Sequence, residues 1–489
     1  MEPETQSSEA RFACYIEALA SVLGREDRAR PLEDYCTGLL MPGERKSVEP
    51  MAAVVAPAHV SAKHQSLLHL VGQGAWSDEA VLAKVRELVL PAIEAQGPIE
   101  AWIVDDTGFA KKGVHSVGVA RQYCGRLGKT DNCQIAVTLS IANHAASLPI
   151  AYRLYLPEDW GADEARRRKA HVPDAVKFHT KPEIALDQVR AALAAGVAPG
   201  VLLTDAGYGV NGAFRSGVTA MGLTYAMGVQ PTLGVWPPDT GPLPPKPWSG
   251  RGRKPSHVRR DADHRPVSAK KLAMALAPED WRTVVWREGS NEALSSRFAA
   301  VRIRPASRDW KLSTPHPLEW LLIEWPMNEK EPTKYWLSTL AEDTPIEVLV
   351  DTAKLRWRIE RDYEELKSEL GLAHFEGRSW RGFHHLKAYA QHTSGRNSVH
   401  RRLWFPHPRT SGDSPLWPPA ARNVSPIHAS TTPRRRRSDP SDTSKTRSRR
   451  CDENSQSRWP EPSCAARAAK PCDHDRTTGG HRDTVDLRA

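Results

Sequence analysis

The sequence predicts an α/β chain: a helical N-terminal block, then a mixed sheet flanked by helices, with a β-rich stretch set into it. Three observations predict it. Apolar residues recur at helical spacing up to about residue 95. From residue 98 the period drops to two, in strands that alternate with helices. Residues 230–345 then return to strand-like runs after a Pro/Gly-rich opening. With 489 residues, 40% of them apolar, the chain is long enough for several domains with cores. Its formal charge of +10 suggests a polyanionic partner such as nucleic acid, which bears on association and not on fold. No run approaches the roughly 18 apolar residues of a membrane-spanning helix. The acidic, polar start from Met1 to Ala10 does not read as a secretory signal. Seven scattered cysteines with no CxxC pair read as reduced thiols of a cytoplasmic protein rather than a zinc site.

Residues 1–95 carry helical spacing from Phe12 to Leu23 and from Asp78 to Leu90, with a short apolar helix from His64 to Gly72 between them. Ser77 before Asp78 and Glu79 is an N-cap with acids in the first turn. Short helices with tight connections fit a helix-turn-helix-like DNA-binding domain and, equally, a helical packing domain. Residues 96–229 open with Ala101-Trp-Ile-Val-Asp105-Asp106, a buried strand expected to end in two carboxylates before Thr107-Gly108. Cys133–Ala142 and Leu148–Leu156 read as further strands. Thr180-Lys-Pro-Glu183 is a capping box opening a helix that stops at Gly196. Val201-Leu-Leu-Thr-Asp205 is again a strand with a carboxylate at its end, followed by Ala206-Gly-Tyr-Gly209. A helix near Asn211–Met221 and a strand at Leu223–Val229 follow.

Residues 230–345 hold eight of the sixteen tryptophans and strand-like runs at Trp281–Trp286, Ser295–Arg304, Glu319–Trp325 and Lys334–Leu340. From Pro345 to Leu370 the spacing predicts one long helix with Leu355, Ile359, Leu366 and Leu370 as its stripe, the core of a block spanning residues 346–390. Arg356, Glu360, Tyr363 and Lys367 fall on one face of it. Spacing alone favours the bland readings here, turn caps for the two strand-end Asp residues and a solvated charged face for the helix.

Three blocks reverse that weighting. Asp105-Asp106-Thr107-Gly-Phe-Ala-Lys-Lys-Gly113, Asp205-Ala-Gly-Tyr-Gly209 and Leu355-Arg-Trp-Arg-Ile-Glu360-Arg-Asp-Tyr-Glu-Glu-Leu-Lys367 resemble, in order, those of bacterial insertion-sequence transposases of the DDE, RNase H-like superfamily. The third is similar to the Tyr-x2-Arg-x3-Glu-x6-Lys signature of one cut-and-paste group, matched at Arg356, Glu360 and Lys367, with Ala353 where that signature has Tyr. Gly371 to His385 also looks like the family's continuation. The resemblance implies an RNase H-like core interrupted by the β-rich insertion, and Asp106, Asp205 and Glu360 as catalytic, metal-holding carboxylates. Of the adjacent pair, Asp106 is taken because it directly precedes Thr. It further implies Mg²⁺ (or Mn²⁺), two ions per site, double-stranded DNA as partner (terminal inverted repeats and target), and a homodimer in the synaptic complex.

Two such ions roughly 4 Å apart activate a nucleophile and stabilise a leaving oxygen, and Mg²⁺ is held by a few carboxylates. Arg356 and Lys367 would hold phosphates beside Glu360, and Lys111 and Lys112 lie just past the first carboxylates, well placed for DNA. Arg166–Lys169, Arg251–Lys254 and Arg259-Arg260 read as phosphate-tracking clusters or as solvated surface. A tryptophan of the insertion would stack on a flipped base if a hairpin intermediate forms. His374, His384 and His385 lack ligand company and read as structural or surface.

The last 99 residues, 391–489, hold only 22 apolar residues, with 11 of the 39 prolines and the run Arg434–Arg437. Such a segment is expected to be disordered. It carries 19 Lys+Arg against 10 Asp+Glu, a net of +9, which leaves 49 against 48, or +1, for residues 1–390. The basic character belongs to the tail. Arg402–Ser414 can be back-translated so that a one-base offset gives a family-like apolar reading, which suggests a frameshift around residues 387–400 and a decayed copy. The alternatives are a genuine basic tail, a non-catalytic DNA-binding remnant that regulates at terminal repeats, and a hydrolytic nuclease of the same fold.

Overall fold

The computed structural model describes residues 7–288, 293–374 and 376–392. The basic tail beyond residue 392, with the expectations attached to it, lies outside them. Five helices come first: α1 (Ser8–Ala20), α2 (Ala29–Leu40), α3 (Val48–Val55), α4 (Val60–Gly72) and α5 (Asp78–Glu94). Ser7 and Ser77 cap α1 and α5 by accepting from Ala10 N and Ala80 N. Leu32, Tyr35, Cys36 and Leu39 form a buried stripe on α2 at the spacing a helix needs to present one apolar face.

The central part contributes β1 (Ala101–Ala110), β2 (Ala120–Cys124), β3 (Lys129–Ala142), β4 (Ser147–Leu154), α6 (Glu158–Ala162), α7 (Glu164–Lys169), α8 (Lys181–Ala194), β5 (Val201–Thr204), α9 (Ala206–Gly209), α10 (Gly212–Ala220) and β6 (Tyr225–Val229). Then come β7 (Gly234–Trp236), β8 (Val267–Ser268), α11 (Ala269–Met274), β9 (Arg282–Glu288), β10 (Ala293–Pro305), β11 (Glu319–Trp325) and β12 (Lys334–Ser338), followed by α12 (Ile346–Lys354), α13 (Trp357–Ser368) and α14 (Trp380–His392). Among the described residues, twelve strands make one mixed sheet flanked by helices, which fits the expected RNase H-like fold.

In that sheet β1 is central. Antiparallel β3 lies on one side, with β4 and β2 on its outer edge; parallel β5 and then β6 lie on the other. The strands of residues 230–345 continue the same sheet from β6, through β12, β11 and β10 to β7 and β8. From Cys133 to Ala142, β3 is buried at every residue, on both faces, with Gln134, Thr138 and Ser140 among its apolar neighbours.

Two expectations change. The first strand does not end at its carboxylates: β1 runs on through Thr107 and Gly108 to Ala110, paired with β3 throughout. Gly108 permits this because a Cβ there would press on the Cys124 sulfur at 3.2 Å. Nor is the C-terminal helix continuous. It breaks at Leu355-Arg356, where bonds from Arg358 N to Leu355 O and from Ile359 N to Arg356 O are of the tighter i→i+3 kind. The two pieces serve different cores. Leu349, Val350 and Ala353 of α12 pack with Val284, Phe298, Leu322 and Trp336 of the later strands, whereas Leu355, Ile359, Leu366 and Leu370 join the main core. Ala353 is therefore a packing residue, and its small side chain suits that contact.

The N-terminal helices rest on α14. His385 is buried there, stacked on Trp76, with its ring nitrogens 3.0 Å from the Val71 and Trp76 carbonyl oxygens. The histidine pair His384-His385 is thus structural. Two of the basic clusters are partly committed as well: Arg167 donates to Val176 O, and Arg260 to Asp309 and Ala306 O.

Candidate active site

The sheet brings two of the expected carboxylates together through its register. β1 and β5 are parallel neighbours, with Val104 beside Thr204, so Asp105 and Asp205 are the next residues on adjacent strands. Successive side chains alternate between the faces of a sheet, so Asp105 and Asp106 point oppositely. Asp105 shares its surroundings with Asp205 and Arg356. Asp106 is held on the other face, accepting from Lys181 Nζ at 2.6 Å and Tyr208 Oη at 2.5 Å. The resemblance points to Asp106, whereas Asp105 is the one that stands by Asp205 in the structure.

Asp205 closes β5 and caps α9. Its Oδ1 accepts from Gly207 N at 3.0 Å and Tyr208 N at 3.3 Å, which fixes the carboxylate's orientation. This turn lies tightly on β6. A Cβ on Gly228 would come within 2.9 Å of Ala206 N, and one on Gly209 would collide with the Gly228 carbonyl oxygen, so both positions need glycine.

Glu360 reaches the pair through Arg356. The guanidinium at the helix break donates from Nη2 to Asp105 Oδ2 at 2.8 Å and from Nη1 to Glu360 Oε1 at 3.0 Å. Glu360 itself is 63% exposed, at the open rim of the site. Burial pushes the Asp105 carboxyl up, Arg356 pulls it back and Asp205 raises it further, leaving it at about 6. Burial would lower the Arg356 guanidinium, but Asp105, then Asp205 and Glu360, outweigh that and raise it. This cluster holds more potential negative charge than one guanidinium balances, and its donors are hard carboxylate oxygens. Both features fit a divalent cation of the Mg²⁺ type. Among the described residues, no three His, Cys, Asp or Glu side chains already converge on one point.

The expected phosphate-holding residues lie nearby to different degrees. The Lys367 ammonium sits 5.6 Å from the Phe109 ring, lowered first by burial and within electrostatic reach of Asp105. Burial lowers Lys111 to about 8, and Lys112 is exposed. Sequence reasoning missed Lys181 and Tyr208 as holders of Asp106. It also missed Lys354, whose ammonium donates to Glu324 at 2.6 Å and lies 4.4 Å from the Trp286 ring. One signal for Asp105 was available: Ala101-Trp-Ile-Val and Val201-Leu-Leu-Thr are both four-residue strand runs, and the residue following each is Asp.

A cavity of about 200 Å³ opens on the other flank of α13, lined by Ser147, Trp357, Arg358 and Asp362. It includes none of the three carboxylates. Asp362 there accepts from Ser147 Oγ at 2.5 Å, and burial pushes it up to about 6.

Comparison with known proteins bears on the family. A probable transposase for insertion sequence element IS701 from Microchaete diplosiphon is 30% identical over 188 residues, 38% of this chain and 45% of that protein. The chain thus spans less than half the length of that relative. The family signature of the DDE superfamily endonucleases matches residues 18–293, more than half of the chain and including both β1 and β5. On that match, which a large mixed sheet flanked by helices fits, the chain belongs to the DDE superfamily endonucleases.

Proposed function

We propose that this protein is the DNA transposase of an insertion sequence, binding terminal inverted repeats and catalysing metal-dependent strand cleavage and strand transfer. The observation that carries the proposal is the register match of Asp105 with Asp205, joined to Glu360 by one guanidinium. We assign Asp105, Asp205 and Glu360 as the carboxylates that would hold Mg²⁺ or Mn²⁺, with Asp105 taking the place expected of Asp106. Bound divalent ions supply an activated nucleophile and stabilisation of the leaving 3′-oxygen.

The chain's own residues set the stage for that chemistry. Arg356 offsets part of the rise that burial imposes on Asp105 and bonds Glu360 at the rim, and its remaining donors suit a phosphate oxygen. Lys367 adds a point charge on the same helix. Lys181 and Tyr208 clamp Asp106, which fixes β1 and so the direction in which Asp105 projects. Asp205 is oriented by the backbone donors of α9. The likeness to a probable transposase supports the same reading.

The test is a strand-cleavage assay on DNA carrying the element's ends with added Mg²⁺. Cleavage by the wild type, lost in Asp205→Asn and Glu360→Gln variants that still bind DNA, is the expected result. Binding without cleavage by the wild type would instead make the chain a regulator at those ends.

A further inference from the structure

Between Lys111 and Thr130 the chain carries five Lys or Arg residues and no Asp or Glu, although residues 1–390 as a whole are close to neutral. This acid-free run is the segment that leaves the end of β1, beyond the site carboxylates, and folds into the β2–β3 hairpin. Its outer surface is open. Arg121 and Tyr123 alternate outward on β2, with Cys124 turned inward, and Gly128 takes a left-handed φ of +63° to close the turn onto β3. Tyr123 is 63% exposed, Val114 61% and Leu127 40%, although each is large and apolar or aromatic.

The hairpin packs against β1, and its tip comes near α13. Its inward Cys124 fills the space beside Gly108 of β1. Arg126, at the tip, lies near enough to Lys367 of α13 for the two charges to repel. Asp131 pairs with Lys129 at 3.0 Å and lies within electrostatic reach of Arg121, whereas Lys112 and Arg126 make no ion pair among the described residues. Exposed cations interleaved with an exposed aromatic ring, set against a carboxylate site, are what a nucleic-acid strand recognises. Arginine and lysine meet its phosphates, and a tyrosine offers a flat face to an unpaired base.

We infer that the β2–β3 hairpin and the loop before it form a DNA-strand contact at the mouth of the carboxylate site, with Lys112, Arg121 and Arg126 on phosphates and Tyr123 against a base. This inference rests on the DNA-processing reading of the site. It adds residues that neither the carboxylate blocks nor the helix of Glu360 supplies.

The experiment uses the full chain carrying Glu360→Gln, so that binding is read without cutting. The probe is a fluorescein-labelled DNA duplex with a single-stranded extension, followed by anisotropy over a range of salt. Arg121→Gln with Arg126→Gln is expected to weaken binding and flatten the slope of log Kd against log salt by about 0.9 for each lost phosphate contact. Tyr123→Ala is expected to weaken binding to the extended probe several-fold more than to a blunt duplex. Lys330→Gln, an exposed cation on the β11–β12 turn, controls for net charge and should leave both readings unchanged. An unaltered slope in the double arginine variant, with circular dichroism showing the fold intact, overturns the inference. That result would leave the carboxylate assignment standing, because cleavage by the Glu360-containing protein is measured separately.

Discussion

Two cations sit two residues apart at the break between α12 and α13, and they behave in opposite ways. Lys354 ends α12 pointing into the later strands. Its ammonium donates to Glu324 at 2.6 Å, is ringed by Trp286, Phe298 and Trp336 at 4.4 to 5.6 Å, and is only 10% exposed. Arg356 points the other way, onto Asp105, with its second hand on the open Glu360. The first pair is buried, with the Lys354 and Glu324 side chains 10% and 5% exposed. The second leaves one carboxylate at the rim and an excess of potential negative charge within. We read the buried pair as a structural lock and the half-open one, with its raised carboxylate, as the candidate binding site. The lock lies at the end of α12, directly before the break at which Arg356 stands.

The largest effect separating the two should come from the site. Asp205→Asn or Glu360→Gln is expected to lower Mg²⁺-dependent strand cleavage by about a thousandfold, some 4 kcal/mol of barrier, in an assay of initial rates. Thermal unfolding should stay near that of the wild type. Loss of fold together with loss of activity would move these residues into the structural class.

For the lock the expectation is inverted. Glu324→Ala leaves Lys354 buried and unpaired and should cost about 3–5 kcal/mol of stability by denaturant unfolding. The paired change Glu324→Leu with Lys354→Met keeps the volume apolar and should restore most of it. If the double variant is as unstable as the single one, Lys354 and Glu324 do not act as a pair.

A smaller effect is expected from the docking of the N-terminal helices. Burial lowers His385 to about 4, below the ordinary imidazole value near 6.5. Between those values the unfolded chain binds the proton more readily than the folded one, so stability is full above about pH 6.5 and falls as pH drops toward 4. His385→Gln should flatten this part of the stability profile. An unchanged profile would show that another group carries the acid sensitivity.

Much of this arrangement was legible in the sequence. The helical first block, the strands around Ala101, Cys133 and Val201 and the capping box at Thr180 all follow from period and cap chemistry, which act over a few residues. The strand runs after residue 280 were legible for the same reason, but their continuation of the central sheet was not, because strand neighbours are chosen by tertiary pairing. The helix break at Leu355-Arg356 was hidden: both residues keep helical backbone angles, and only the existence of two cores on either side separates the pieces. The choice between Asp105 and Asp106 depended on which face of β1 meets β5 and α13. Sequence adjacency to Thr107 carries no information about that, whereas strand register does.

The most direct measurement compares those two neighbours. Asp105→Asn and Asp106→Asn should be assayed side by side for Mg²⁺-dependent cleavage of DNA carrying the element's ends, with DNA affinity measured in parallel. The register of β1 with β5 predicts that Asp105→Asn abolishes cleavage while leaving DNA binding intact. Asp106→Asn, which loosens only the Lys181 and Tyr208 clamp, should keep a reduced but measurable rate. Full loss in Asp106→Asn with near-normal cleavage by Asp105→Asn would contradict the assignment.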